Sequence, residues 1–226
     1  MEQLFGDDQT GTAAGAVSPD APLATRMRPA AVDELVGQER LLAPGSALRR
    51  AIEEGDPHSM ILYGPPGSGK TTLARLVAQS SDAAFEEESA VAAGRAEVRA
   101  VIERARERLR GSGKRTVFFL DEIHRFNKAQ QDALLPAVEE GLITLIGATT
   151  ENPYFEVNSA LISRTQLYEL QALGPEDVRK LLDRAVARGE CGPAENVDEA
   201  ALDFLAGRSG GDARSALNAL ELACDA

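Results

Sequence analysis

The sequence predicts an α/β fold, a five-stranded parallel sheet sandwiched by helices and followed by a small all-α unit. Three observations predict it. Short apolar runs alternate with amphipathic helical patterns between Ser59 and Leu170. Those runs are continuously apolar, as in strands covered on both faces. After Leu173 the strand patterns stop and only helical ones follow.

The elements fall in order along the chain. Residues 1–22 are rich in Gly, Ala, Ser, Pro and Asp, lack periodicity, and read as a disordered tail. Within it, Gln3-Leu4-Phe5 faintly resembles a peptide that docks on bacterial sliding clamps, but lacks its spacer and second Leu. Ser59–Tyr63 is the first strand, Lys70–Gln79 a helix, and Ala83–Glu87 the second strand. Glu97–Leu109 is a helix with Val98, Val101, Ile102, Ala105 and Leu109 on one face. Thr116–Leu120 is the third strand. Asn127–Glu139 reads as one helix, capped by Asn127 and kinked at Pro136. Leu142–Ala148 and Gln166–Leu170 are the fourth and fifth strands. Pro175–Arg188, Asp198–Ala206 and Asp212–Ala223 are helices. The expected organisation is a tail over 1–22, an α/β domain over 23–173 and a helical lid over 174–226 that reads as truncated.

Composition narrows the function. The chain has 226 residues and a net charge of −12, so contact with nucleic acid requires a local basic face. No apolar run approaches the ~18 residues of a membrane span, and the first residues, MEQLFGDD, do not read as a secretory signal. Two cysteines, Cys191 and Cys224, fit a reducing cytoplasm and no disulfide scaffold, and the two histidines lack zinc-ligand spacing.

Two motifs carry chemistry. Gly64-Pro65-Pro66-Gly67-Ser68-Gly69-Lys70-Thr71 matches the phosphate-binding loop pattern and lies between an apolar strand and a helix. Gly67 and Gly69 let consecutive amides point into one concavity, and the helix start adds its positive dipole end. Lys70 supplies charge for the β- and γ-phosphates of ATP, Thr71 a hydroxyl for Mg²⁺, and Thr72 continues the nucleotide-binding run. The strand Val117–Leu120 then ends in Asp121-Glu122. Asp121 suits a Mg²⁺ carboxylate, and Glu122 a base that polarises the attacking water.

The strings DEIHRFNK (121–128) and GATTENP (147–153) resemble the replication-associated recombination protein A family of AAA+ ATPases. The resemblance covers residues 23–224 and implies a DNA-dependent ATPase acting in replication-fork maintenance, recombination and DNA repair. It implies that Thr25–Pro29 with Val36, Gly37 and Gln38 form the adenine side of the site. It makes Thr149 or Thr150 the residue that senses the γ-phosphate. Arg164, in a Ser-Arg-Thr run where relatives carry Ser-Arg-Cys, becomes an arginine finger reaching a neighbouring subunit. Arg214 becomes the lid arginine. The resemblance also implies a further oligomerisation region after the lid.

Residues 95–115 hold eight basic side chains against three acidic ones. They read as a DNA-facing patch, a solvated face, or a face that pairs with the next subunit. Forked or single-stranded DNA with little sequence preference is the expected ligand, with a homo-oligomer through the Arg164 face and a single-strand-binding protein or sliding clamp as further partners. The expected location is the cytoplasm, at the nucleoid. The competing readings are a clamp-loader subunit or branch-migration motor, and a nucleotide-switched scaffold with negligible turnover.

Overall fold

The computed structural model describes Ser18, residues 20–193 and residues 197–224. Most of the expected tail, with Gln3-Leu4-Phe5, lies outside the described residues. The chain enters through a short helix α1 (Leu23–Arg26) and a longer one, α2 (Ala47–Glu53), capped by the Ser46 hydroxyl. Then come β1 (Met60–Tyr63), α3 (Lys70–Ser80), β2 (Ala84–Ser89), α4 (Arg95–Ser112) and β3 (Thr116–Asp121). Two short helices, α5 (Lys128–Asp132) and α6 (Leu135–Glu139), precede β4 (Ile143–Thr149). Two more, α7 (Pro153–Glu156) and α8 (Ser159–Ile162), lead into β5 (Gln166–Glu169). The C-terminal helices are α9 (Pro175–Ala187), α10 (Glu199–Arg208) and α11 (Ala213–Cys224).

The five strands form one parallel sheet in the order β2-β3-β4-β1-β5. From β1 the chain crosses to the far edge, so the loop after β1 opens beside the ends of β3 and β4. Ligands of open α/β sheets bind in such a crevice, beyond the carboxyl ends of the strands. Both faces of the sheet are covered. Phe118, Leu120, Leu145 and Ile61 pack against Val98, Val101 and Ala105 of α4 on one face. Val117, Phe119, Ile146 and Met60 pack against Leu48 and Ile52 of α2 and Leu73 and Val77 of α3 on the other. Successive residues of β3 thus serve opposite cores, the period-two rule of a strand. Each such side chain, fully buried, contributes roughly 1.5–3 kcal/mol.

Three findings depart from expectation. The single helix over 127–139 is two helices, because Pro136 has no N–H to complete the ladder and its ring crowds the carbonyl four residues back. Pro136 sits instead in the first turn of α6, where no donor is needed. Asn127 does cap α5, exchanging hydrogen bonds with Gln130. Second, Leu23 and Met27 pack with Val178, Leu182, Leu202, Leu217 and Leu220, so α1 shares the core of the C-terminal helices although it precedes the sheet in sequence. Arg26 reinforces this with ion pairs to Glu190 and Glu221. Third, Cys191 and Cys224 are bonded to each other. The turn after α9 folds back on the last turn of α11 and brings their Cα atoms to 5.2 Å.

Candidate nucleotide site

The site is built where β1, β3 and β4 end together. After Tyr63 the backbone makes a loop that only glycine tolerates, with φ of 146° at Gly64, 69° at Gly67 and 101° at Gly69. A side chain at Gly67 would also strike the Asp212 carboxylate at the start of α11, so the loop and the C-terminal helices touch there. Lys70, the first residue of α3, is only 8% exposed. Its Nζ donates to the carbonyls of Gly64 and Pro65, each at 2.8 Å. Burial pulls its ammonium below the ordinary lysine value, against Asp121 and Glu122, which favour the charge.

Asp121 closes β3, and its Oδ1 accepts the Glu122 N–H at 3.0 Å. Glu122 itself takes a left-handed conformation, φ 54° and ψ 41°. Such a conformation costs roughly 1–3 kcal/mol in a residue other than glycine and clusters at functional sites. A 3₁₀ turn over Ile123–Arg125 follows at once. Ile123 is buried against Gly147, where a Cβ would lie 2.9 Å from its Cδ1. The glycine of GATTENP therefore makes room for the turn that follows the acidic pair.

These residues line a cleft of about 430 Å³. Pro66, Gly67, Ser68, Gly69, Lys70, Thr71 and Thr72 form its floor, and Asp121, Glu122 and Thr150 one side. Arg28, Pro29, Leu35 and Val36 come from the N-terminal segment, and Arg214, Leu217 and Asn218 from the lid. Gly64, Pro65 and Gly37 stand outside the lining. Gly37 sits instead against Leu173, between β5 and α9. Of the two threonines, Thr150 faces the cleft, while Thr149 is fully buried with its hydroxyl engaged by His124 and the Glu151 N–H. Arg164 is not in this cleft: its guanidinium donates to the Ala160 carbonyl and Ser163 hydroxyl and pairs with Glu139.

Three residues make contacts that the sequence does not announce, although Arg28 and Gln38 lie in the segments expected on the adenine side. Gln38 is buried and donates to the carbonyls of Ser68 and Gln171, while accepting the Gln171 N–H at 3.1 Å. It pins the N-terminal segment to both the phosphate loop and the hinge. Arg28 lines the cleft, and its guanidinium has no hydrogen bond or ion pair among the described residues. Burial, then the nearby Arg75, lowers its pKa from the ordinary arginine value, and Arg214 acts in the same direction. Gln131 is buried and ties the carbonyls of Phe126 and Glu156 together, setting α7 against α5. Glutamines have no local pattern that announces such long-range bonds.

The basic run over 95–115 is largely paired. Arg104 and Arg108 bind Glu86, Arg106 binds Glu103, Lys114 binds Asp82 and Arg115 binds Asp56. Among the described residues Arg95, Arg99 and Arg110 form no ion pair.

The chain is 52% identical over 207 residues to replication-associated recombination protein A of Escherichia coli K12, covering 90% of this chain and 46% of that protein. It is 44% identical over 211 residues to ATPase WRNIP1 of Dictyostelium discoideum, covering 91% of this chain and 24% of that protein. Among solved structures, the Thermotoga maritima RuvB Holliday junction branch migration motor superposes with a TM-score of 0.71 at 31% identity, covering 88% of this chain and 65% of that one. The chain thus spans about half the length of the bacterial relative it matches. Residues 60–172, from β1 through the hinge, match the ATPase family associated with various cellular activities (AAA), and with the phosphate loop and acidic pair in their expected places the chain belongs to that family.

Proposed function

We propose that the chain binds Mg-ATP in this cleft and hydrolyses it, and that it serves replication-fork maintenance, recombination and DNA repair. One observation carries the reading: Lys70, Asp121, Glu122, Thr150 and Arg214, drawn from four separate elements, converge on a single cleft floored by the phosphate loop. The loop amides and Lys70 bind the phosphates, and Leu35, Val36 and Leu217 offer apolar surface for the base. Thr71 and Asp121 fit Mg²⁺, which takes few protein ligands and completes its shell with water and phosphate oxygens. Bound there, Mg²⁺ would neutralise charge on the β- and γ-phosphates. Glu122 accepts a proton from the attacking water as its oxygen bonds to the γ-phosphorus, and the bond to the bridging oxygen of ADP breaks. Thr150 and Arg214 steady the γ-phosphate from the strand end and from the lid.

Arg164 completes the site of a neighbouring copy, exchanging Glu139 for that copy's nucleotide. A finger of this kind supplies about 10³–10⁵ in rate, or roughly 4–7 kcal/mol of barrier. Tyr154 and Phe155, 66% and 83% exposed on the same stretch of chain, give the joining face apolar surface. DNA, forked or single-stranded, meets the free arginines of α4 without sequence preference. The protein works in the cytoplasm at the nucleoid, with a single-strand-binding protein or sliding clamp as further partner. A branch-migration motor is the second reading, favoured by the superposition on RuvB.

Calorimetry and steady-state turnover test the first reading. Mg-ATP should bind the wild type, Lys70→Ala should lose binding, and Glu122→Gln should bind while losing turnover by about 10²-fold or more. Forked DNA should stimulate turnover more than a four-way junction does, and the reverse order supports the motor. Absence of heat with wild type overturns both.

A further inference from the structure

We propose that His124 is a positioning residue for Glu122, tying the base to the buried end of β4. The inference rests on the reading of Glu122 as the group that activates water. The left-handed turn at Glu122 and the 3₁₀ turn after it fold His124 back beside the carboxylate two residues earlier. The imidazole Nε2 lies 3.3 Å from Glu122 Oε2, and Nδ1 lies 2.9 Å from the Thr149 hydroxyl. The His124 side chain is itself only 9% exposed.

Hydrogen-bond satisfaction favours one direction for this relay. Thr149 Oγ1 accepts the Glu151 N–H at 2.9 Å and is fully buried. Among the described residues the Thr149 hydroxyl has one further partner, His124 Nδ1, and no buried side-chain polar atom lacks a hydrogen bond. Pointing the hydroxyl proton at Nδ1 is the arrangement that leaves this buried donor paired, because the described residues offer it no other acceptor. Nδ1 is then a lone-pair acceptor, and a neutral ring carries its proton on Nε2, facing Glu122. The 3.3 Å contact is loose, as catalytic contacts are before substrate binds.

The arrangement engages one oxygen of Glu122 and leaves the other to take the proton of water. Thr149 is also the neighbour of Thr150, which faces the cleft. The base and the γ-phosphate contact thereby hang on one buried hydroxyl. Without His124 the Glu122 side chain loses the contact that holds its rotamer. The expected effect is on the chemical step and not on nucleotide affinity.

Histidine imidazole ¹⁵N spectra and kinetics test this together. The chain has only two histidines, so His58→Gln assigns the signals. His124 should show the neutral Nε2–H tautomer, and Thr149→Val should move its Nδ1 signal while leaving that of His58. His124→Ala should lower kcat at least tenfold with the Mg-ATP Kd within twofold. His124→Gln retains an N–H donor and should recover most of kcat. The double variant with Thr149→Val should be no slower than His124→Ala alone. An Nδ1–H tautomer, or a His124→Ala kcat within twofold of wild type while Glu122→Gln is inactive, overturns the role of His124 alone. Turnover that survives Glu122→Gln removes the base, and this proposal with it.

Discussion

At Gly67 the backbone turns through φ 69° and the Asp212 carboxylate occupies the space of a Cβ. Gly113 has nearly the same φ, 71°, but open space around it. The pair separates strain from contact. Gly113→Ala should cost about 1 kcal/mol of stability and leave nucleotide binding unchanged. Gly67→Ala carries the same strain and also pushes the start of α11 off the loop. Its Mg-ATP Kd should rise at least tenfold by calorimetry. His58 offers a second residue-scale test. Burial lowers its pKa, against Asp56, and its Nε2 lies 2.8 Å from the Tyr168 hydroxyl. A folded value below the unfolded 6.5 means stability that is present above that pH and is lost as pH falls through the folded value. Melting temperature should therefore fall as pH drops below about 6.5, and less steeply in His58→Gln. At this scale the sequence was informative wherever chemistry is contiguous: 64–72 and 121–122 were readable because one turn holds all their atoms. Thr149 and Thr150 could not be separated, since both orientations satisfy the string, and only β4's pairing turns Thr149 inward.

Among the elements, β2 and α4 show how an acidic edge strand disciplines a basic helix. Glu86 faces burial, which opposes its charge, yet Arg104 and Arg108 win and hold its carboxyl below the usual range. Three consecutive glutamates, Glu86–Glu88, also guard this edge against pairing with another strand. Glu86→Gln should free both arginines, tighten DNA binding at low salt and steepen the salt dependence by about one to two log units per log unit. Stability should fall by about 1–3 kcal/mol, measured by urea unfolding. DNA affinity and salt slope that stay fixed would take α4 out of the DNA-facing surface. The basic count over 95–115 was visible in the sequence, but its neutralisation was not, because Glu86, Asp82 and Asp56 belong to distant segments. The break between α5 and α6 was half legible: Pro136 announced a fault, and only the fold shows two helices rather than a bend.

For the whole molecule, Arg164 stands outside its own cleft, so turnover should depend on encounters between chains. The rate at low protein concentration should rise with the square of concentration. Arg164→Ala should be slower by about 10³ and linear. A wild-type rate strictly proportional to concentration would remove Arg164 from catalysis. A parallel sheet was implicit in alternating strands and helices, whereas its strand order and the capture of α1 by the C-terminal helices were not, since Leu23 and Leu220 lie at opposite ends of the sequence. That capture has a practical corollary for anyone carving out a minimal ATPase. A recombinant piece trimmed to the matched stretch, 60–172, keeps the floor of the cleft but discards two of its walls, Arg28 through Val36 and Arg214 through Asn218. Even a cut just ahead of residue 30 would gouge Leu23 and Met27 out of the lid and leave Glu221 without Arg26, so the leading stretch behaves less like a leader than like a bolt through both halves.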